Sequence, residues 1–268
     1  MSWLCRYMGV SRSGYYAWVS RGLSSRLRAN SELLTAIERI HRETDRSYGS
    51  PRMHLELVDL GYQCGRHRVA RLMRAHGVVA QRMRRYRTNR ARGDLYARFE
   101  NRLLERDPVR SPDEVWVGDY TYLRTPQGWL YLAVMLDLYA RRVIGWAVSR
   151  QRTANLTREA LRMAIDHRHP KAGTLFHSDQ GIEYAAHSFQ SLLSAHKIEP
   201  SMSRRGNCYD NAHMESFFAS LKLEMGEDFR SASDAVDQIR DYIHFYNTTR
   251  RHSSLNYCSP IAYEKLVS

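Results

Sequence analysis

Apolar residues recur at helical spacing between Asn30 and Asp45, where Leu33, Leu34, Ile37 and Ile40 share one face behind an Asn30/Ser31 cap, and this predicts an amphipathic helix. Ser50-Pro51 opens a second short helix, with proline in the first turn. Gly61 and Gly65 bracket a turn, and a third helix runs to His76-Gly77. In that helix Val69, Leu72 and Met73 mark a buried face, while Arg68, Arg71 and Arg74 step by three along another. Two short helices about a glycine turn suggest a helix-turn-helix; a plain helical hairpin with solubilising arginines has the same pattern. After Pro112 the pattern becomes strand-like. Val115 to Leu123, Trp129 to Leu136 and Arg142 to Ser149 predict three antiparallel strands, joined by Pro126-Gln127-Gly128 and a short Tyr139-Ala140-Arg141 turn. Thr153 caps a helix, and Thr174 to Ser178 is a short strand that the long crossover sets parallel to the first. A helix at Phe189 to His196, a strand at Ile198 to Met202 and an irregular loop at Arg204 to Tyr209 follow. Asp210 then caps a helix with a Met214, Phe218, Leu221, Met225 stripe, and a last helix spans Ser233 to Asn247, burying Val236, Ile239, Ile243 and Tyr246. The order βββαβαβα predicts an α/β fold, a mixed five-stranded sheet with flanking helices, preceded by an all-α module.

The 268 residues, 43% apolar and 26% charged, exclude wholesale disorder and suffice for a substantial core. The longest apolar run, Trp129 to Leu136, is too short for a membrane span, and no secretory h-region is evident, so a cytoplasmic location is expected. Cys5, Cys64, Cys208 and Cys258 lie far apart without a C-x-x-C pair, which predicts free thiols and no zinc site.

Charge divides the chain more sharply than its sum does. The net charge is +13, and residues 1–110 hold 23 basic and 10 acidic side chains against 18 and 18 in the remainder, so the whole excess is N-terminal. All 23 are arginine, whose planar fork suits phosphates and guanine edges. Segregated charge points to nucleic acid rather than to solubility alone. The expected organisation is a helical DNA-binding module at 1–80, an arginine-rich linker at 81–110, an α/β core at 111–230 and a C-terminal helical segment at 231–268.

Eighteen acids follow residue 110, and three stand in unusual places. Asp119 lies within the first strand between Gly118 and Tyr120, where a buried carboxylate without a partner would cost several kcal/mol. Asp179 ends the fourth strand in His177-Ser178-Asp179-Gln180-Gly181. Glu215 rides a helix between the packing residues Met214 and Phe217. Three convergent carboxylates need cations, and hard oxygen donors without a Cys or His cluster favour Mg²⁺ or Mn²⁺. Two such ions about 4 Å apart serve in-line phosphodiester displacement. Salt-bridged or capping acids remain the alternative on pattern alone. Asp137 precedes Arg141 and Arg142 and is expected to form a hairpin ion pair instead. His177, on the strand face of Asp179, could orient DNA, although a structural hydrogen bond is the weightier reading.

The segments V-W-V-G-D-Y-T-Y-L, G-W-L-Y-L-A-V-M-L-D-L-Y-A-R-R-V-I-G-W, H-S-D-Q-G, S-M-S-R-R-G-N-C-Y-D-N-A-H-M-E-S-F-F and Y-N-T-T-R-R-H-S-S-L-N-Y closely resemble the second-reading-frame transposase of bacterial insertion sequences of the third family. Such proteins share the catalytic core of retroviral integrases. Thirty-five residues separate Asp179 from Glu215, the interval by which that family's Asp-Asp-Glu triad is known. C-R-Y-M-G-V-S-R-S-G-Y-Y-A-W and Y-G-S-P-R-M-H extend the resemblance over nearly the whole chain. It implies a ribonuclease-H-like fold, Asp119, Asp179 and Glu215 as catalytic ligands of two Mg²⁺ (or Mn²⁺), and Lys222 as a DNA contact seven residues after the glutamate. It further implies cleavage of element ends and 3′-hydroxyl strand transfer in the bacterial cytoplasm, on the nucleoid. Partners would be terminal inverted repeats and target DNA, with a homo-oligomer assembled on DNA. Because the resemblance begins at Trp3-Leu4-Cys5-Arg6 and no heptad run occurs, fusion or partnership with the upstream-frame product is also expected. Gly118 and Tyr120 around Asp119, His213 and Asn256 depart from the family pattern. The rival functions are an inactive DNA-binding regulator and a ribonuclease-H-type nuclease.

Overall fold

The computed structural model describes residues 1–22, 24–81, 99–204, 211–226 and 228–266. The chain forms two compact units, Met1–Gln81 and Arg82–Ser268.

In the first unit, α1 (Ser2–Tyr7) and α2 (Arg12–Ser20) precede α3 (Ser25–Glu43), α4 (Ser50–Asp59) and α5 (Arg66–Ala75). The first two carry no apolar stripe and were not legible from periodicity; of them only Cys5 is buried. The α3 helix starts well before the expected Asn30/Ser31 cap. Ser24 caps it, accepting from the Leu27 backbone N–H at 3.2 Å. Asn30 lies inside α3 and accepts from Arg68 Nε at 2.9 Å, fastening α3 to α5. Proline in the first turn of α4, and Gly61 at φ +86° after its end, make the helix-turn-helix-like α4–α5 pair. Ile37, Ile40, Met53, Leu57, Val69, Leu72 and Met73 form its core.

In the second unit, β1 (Val115–Thr125), β2 (Gly128–Asp137) and β3 (Val143–Ser149) pair antiparallel, while β4 (Leu175–Ser178) and β5 (Glu199–Met202) add in parallel on the far side of β1. The sheet order is β3-β2-β1-β4-β5. Because both faces of the sheet are covered, its central strands read as nearly continuous apolar runs. One face packs Val115, Val117 and Leu175 against Met214, Phe217, Phe218 and Leu221 of α9 (Ala212–Met225) and Ala235, Ile239, Ile243 and Tyr246 of α10 (Ala232–Thr248). The other packs Trp116 and Phe176 against α6 (Ala154–Arg168), α7 (Ile182–Ala185) and α8 (His187–Ala195). Each fully buried large apolar side chain contributes about 1.5–3 kcal/mol to this arrangement. A short α11 (Pro260–Lys265) ends the described chain.

Three further sequence-level expectations change in the structure. Thr153 stands at the N-cap of α6, but its side chain makes no capping bond. Val236 is only partly buried; Ala235, the neighbouring residue, takes the core position. Asp137 forms no hairpin ion pair: its carboxylate accepts the backbone N–H groups of Asp113 (2.6 Å), Tyr139 (2.8 Å) and Ala140 (3.2 Å). The β2–β3 turn folds back over it, so backbone donors reach the carboxylate where arginine side chains were expected. The Asp210 cap, Cys208 and most of the Arg204–Tyr209 loop fall outside the described residues, as do residues 82–98 of the arginine-rich linker.

Candidate active site

The last paired residues of β1 and β4 are Gly118 and Ser178, in parallel register. Asp119 and Asp179 therefore follow directly on the last paired residues of two neighbouring strands. Parallel strands run about 4.8 Å apart, and both aspartates bear on the Tyr120 and Tyr184 hydroxyls. Gly118 is required by packing: a Cβ there would stand 2.6 Å from the Phe176 ring.

Local hydrogen bonds hold the pair. Asp119 Oδ1 accepts from the Tyr120 N–H at 2.8 Å, and Asp179 Oδ1 accepts from the Gly181 N–H at 2.9 Å. Gln180 Nε2 donates to the Ser203 carbonyl at 3.0 Å, tying the turn after β4 to the end of β5. Gly181 leaves a cradle: a Cβ on it would lie 2.8 Å from Asp179 Oδ1 and 3.2 Å from Glu183 Oε2. Both aspartates are half-buried, and their field is felt nearby. The Tyr184 hydroxyl is driven well above its ordinary range by burial and then by Asp119 and Asp179. It is fully buried and has no hydrogen-bond partner among the described residues. Burial, Glu183 and the two aspartates likewise raise the Tyr120 hydroxyl, against an opposing pull from Arg152.

Glu215 occupies the first turn of α9, behind Asn211 at the N-cap, and is exposed. Among the described residues no three Asp, Glu, His or Cys side chains are gathered within ligand reach of one point. Of the three expected acids, Asp119 and Asp179 stand on adjacent strands and Glu215 on the exposed side of α9. Two oxygen-donor carboxylates are suited to a hard divalent cation. Lys222 lies on α9 about 10 Å along the axis from Glu215. Its Nζ stands 4.9 Å from the centroid of the Tyr122 ring, and Tyr122 meets Trp129 edge to face at 5.2 Å. Both aromatics are about half exposed, leaving a cationic and aromatic surface beside the aspartates' strand.

His177 is buried, with Nδ1 2.9 Å from Ser201 Oγ, a bond that joins β4 to β5. In α5, Arg71 and Arg74 are exposed, whereas Arg68 is half-buried and committed through Nε to Asn30. Sequence reading missed Arg152 and Glu183. Glu183 follows Asp179 by four residues, but nothing local pairs it with an arginine in the β3–α6 connection.

A family model described as an integrase core domain matches residues 109–208, a second integrase core model matches residues 196–260, and a model of an HTH-like domain matches residues 28–86. A 31 kDa uncharacterized protein of insertion element IS600 from Shigella sonnei is 38% identical over 265 residues, covering 98% of this chain and 97% of that protein. The transposase InsF of insertion sequence IS3A from Escherichia coli (strain K12) is 39% identical over 267 residues, covering 97% of this chain and 92% of that protein. A chain of the simian T-cell lymphotropic virus intasome, solved in complex with PP2A regulatory subunit B56 gamma, matches with a TM-score of 0.50 at 14% identity, over 85% of this chain and 74% of that one. The described sheet and its flanking helices are those of the ribonuclease-H-like integrase core. No helix among the described residues is long and apolar enough to cross a membrane.

Proposed function

The chain belongs to the IS3-family transposases, which carry an integrase core domain, and from that premise we propose that it cuts DNA at the ends of its element and joins the freed 3′ hydroxyl to a second DNA. The observation that carries this reading is the placement of Asp119 and Asp179 directly after the last paired residues of the parallel β1–β4 ladder. In the first step water attacks a phosphorus at the element end and the bond from phosphorus to the 3′ oxygen breaks. In the second the new 3′ hydroxyl attacks a target phosphorus and displaces a 3′ oxygen of the target strand. Each step exchanges one bond to phosphorus for another, and the enzyme forms no covalent bond to DNA.

Asp119 and Asp179, joined by Glu215 from α9, would hold two Mg²⁺ or Mn²⁺ ions. Bound there, the ions supply the Lewis acidity that in-line phosphodiester displacement uses. The chain's own residues align the DNA. Lys222, beside Tyr122 and Trp129, binds a phosphate near the cleaved position, and the exposed Arg71 and Arg74 contact the DNA backbone. The protein works as an oligomer on terminal repeats and target DNA, with the upstream-frame product as fusion or partner, in the bacterial cytoplasm. Incubating the chain and labelled element ends with Mg²⁺ and a plasmid target tests the reading. Joined product from the native chain, and none from Asp179→Asn, is the expected result; binding without cleavage or joining would favour a DNA-binding regulator.

A further inference from the structure

Next to the aspartate pair stands a second charged pair that the proposed chemistry leaves unused. Arg152, in the β3–α6 connection, donates from Nε to Glu183 Oε1 at 2.5 Å and from Nη2 to Glu183 Oε2 at 3.4 Å. The Glu183 side chain is 5% exposed, whereas that of Arg152 is 48% exposed. The guanidinium also lies over the Tyr120 ring, 4.9 Å from its centroid. Tyr120 directly follows Asp119, and Glu183 shares the Gly181 cradle with Asp179. The side-on pairing consumes one edge of the guanidinium. Nη1 has no hydrogen-bond partner among the described residues, and the side chain as a whole is half exposed.

The placement is odd for a pair that only stabilises the fold. Glu183 adds a third acid beside two that already repel a polyanion, and Arg152 offsets that charge on the exposed side. A planar guanidinium fixed on one edge by a buried carboxylate and on its face by an aromatic ring is pre-organised to meet a phosphate with its other edge. Little side-chain entropy remains to be lost when it does so.

We propose that Arg152 binds a phosphate of the DNA strand that crosses Asp119 and Asp179, with Glu183 and Tyr120 as the positioning residues that aim it. This rests on the transposase reading for the identity of the DNA, but the contact is measurable without catalysis. DNA binding by the full chain, followed against salt with Ca²⁺ in place of Mg²⁺, should show Arg152→Ala lowering the magnitude of the log-log slope by about 0.9, one phosphate's share. Strand transfer should fall at least tenfold in Arg152→Ala and less in Arg152→Lys, with thermal midpoints close to that of the native chain. The charge-swapped double variant Arg152→Glu/Glu183→Arg rebuilds an ion pair but puts the acid on the outside, so it should restore neither slope nor joining. Recovery of both by the swapped chain, or an unchanged slope in Arg152→Ala, would overturn the proposal and make the pair a structural brace. If Arg152→Ala or the swapped chain melts early, Arg152→Lys decides: a slope and joining rate equal to native overturn the proposal, and a reduction in both supports it. A native chain that loses the slope with Arg152 yet joins no DNA would instead fault the transposase reading and leave the phosphate contact standing.

Discussion

Arg250 and Glu224 face each other in a buried two-bond pair, Nη2 to Oε1 at 2.6 Å and Nε to Oε2 at 2.7 Å, with both side chains 6% exposed. The Tyr242 hydroxyl donates to the same Glu224 Oε2 at 3.0 Å. The pair clamps the end of α10 onto α9, the helix that bears Glu215 and Lys222, so the C-terminal segment bears directly on the candidate site.

Removing one partner leaves the other charge buried and uncompensated. Glu224→Gln is therefore expected to lose about 3–5 kcal/mol of stability. The paired Glu224→Met/Arg250→Met chain should lose much less. Urea melts of the three proteins test this, and a Glu224→Gln midpoint equal to native would refute the clamp.

Burial raises the Asp137 carboxyl to about 6, against the bound N–H groups of Asp113 and Ala140, which pull it down. Its folded pKa exceeds its unfolded one, so folding takes up a proton between about pH 4 and 6. The stability this carboxyl contributes is full below that window and is lost as pH rises through it. Native minus Asp137→Asn stability, measured at intervals from pH 4 to 7, should accordingly decline with rising pH; the difference removes the other titrating groups. A flat or rising difference would contradict the assignment.

The arginines of α5 separate by environment. Arg68→Ala breaks the bond to Asn30 and should lower the thermal midpoint of the helical unit. Arg71→Ala and Arg74→Ala should leave the midpoint unchanged and each reduce the salt slope of DNA binding by about 0.9. Identical behaviour of all three would show that the Asn30 bond does not distinguish Arg68.

On the proposed role of Lys222 as a phosphate contact, Lys222→Ala should reduce end cleavage more than general DNA affinity, because more than twenty arginines precede it in the chain. Cleavage and band-shift assays on the same end fragment separate the two effects. Equal losses would make Lys222 a general backbone contact.

The β strands were legible because Val115 to Leu123 and Trp129 to Leu136 are apolar on both faces, and the amphipathic α3, α4 and α5 because their stripes are regular. The α1 and α2 helices were not, since they bury almost nothing and so leave no periodic trace. Asp119, Asp179 and Glu215 stood out as acids among packing residues, and their joint role came from the resemblance rather than from spacing alone. Asp137 was misread because its partners are backbone N–H groups, which carry no sequence signature. Arg152 and Glu183 escaped notice for a related reason: they lie 31 positions apart, and only the fold of β3, α6 and β4 brings them together.

Strand transfer by the native chain and by Asp119→Asn, in parallel, on pre-cleaved labelled element ends with Mg²⁺ tests the central claim most directly. Joined product from the native chain, its loss by at least a thousandfold in Asp119→Asn, and unchanged melting of the variant are the results the account predicts. Near-native joining by a folded Asp119→Asn chain would contradict it.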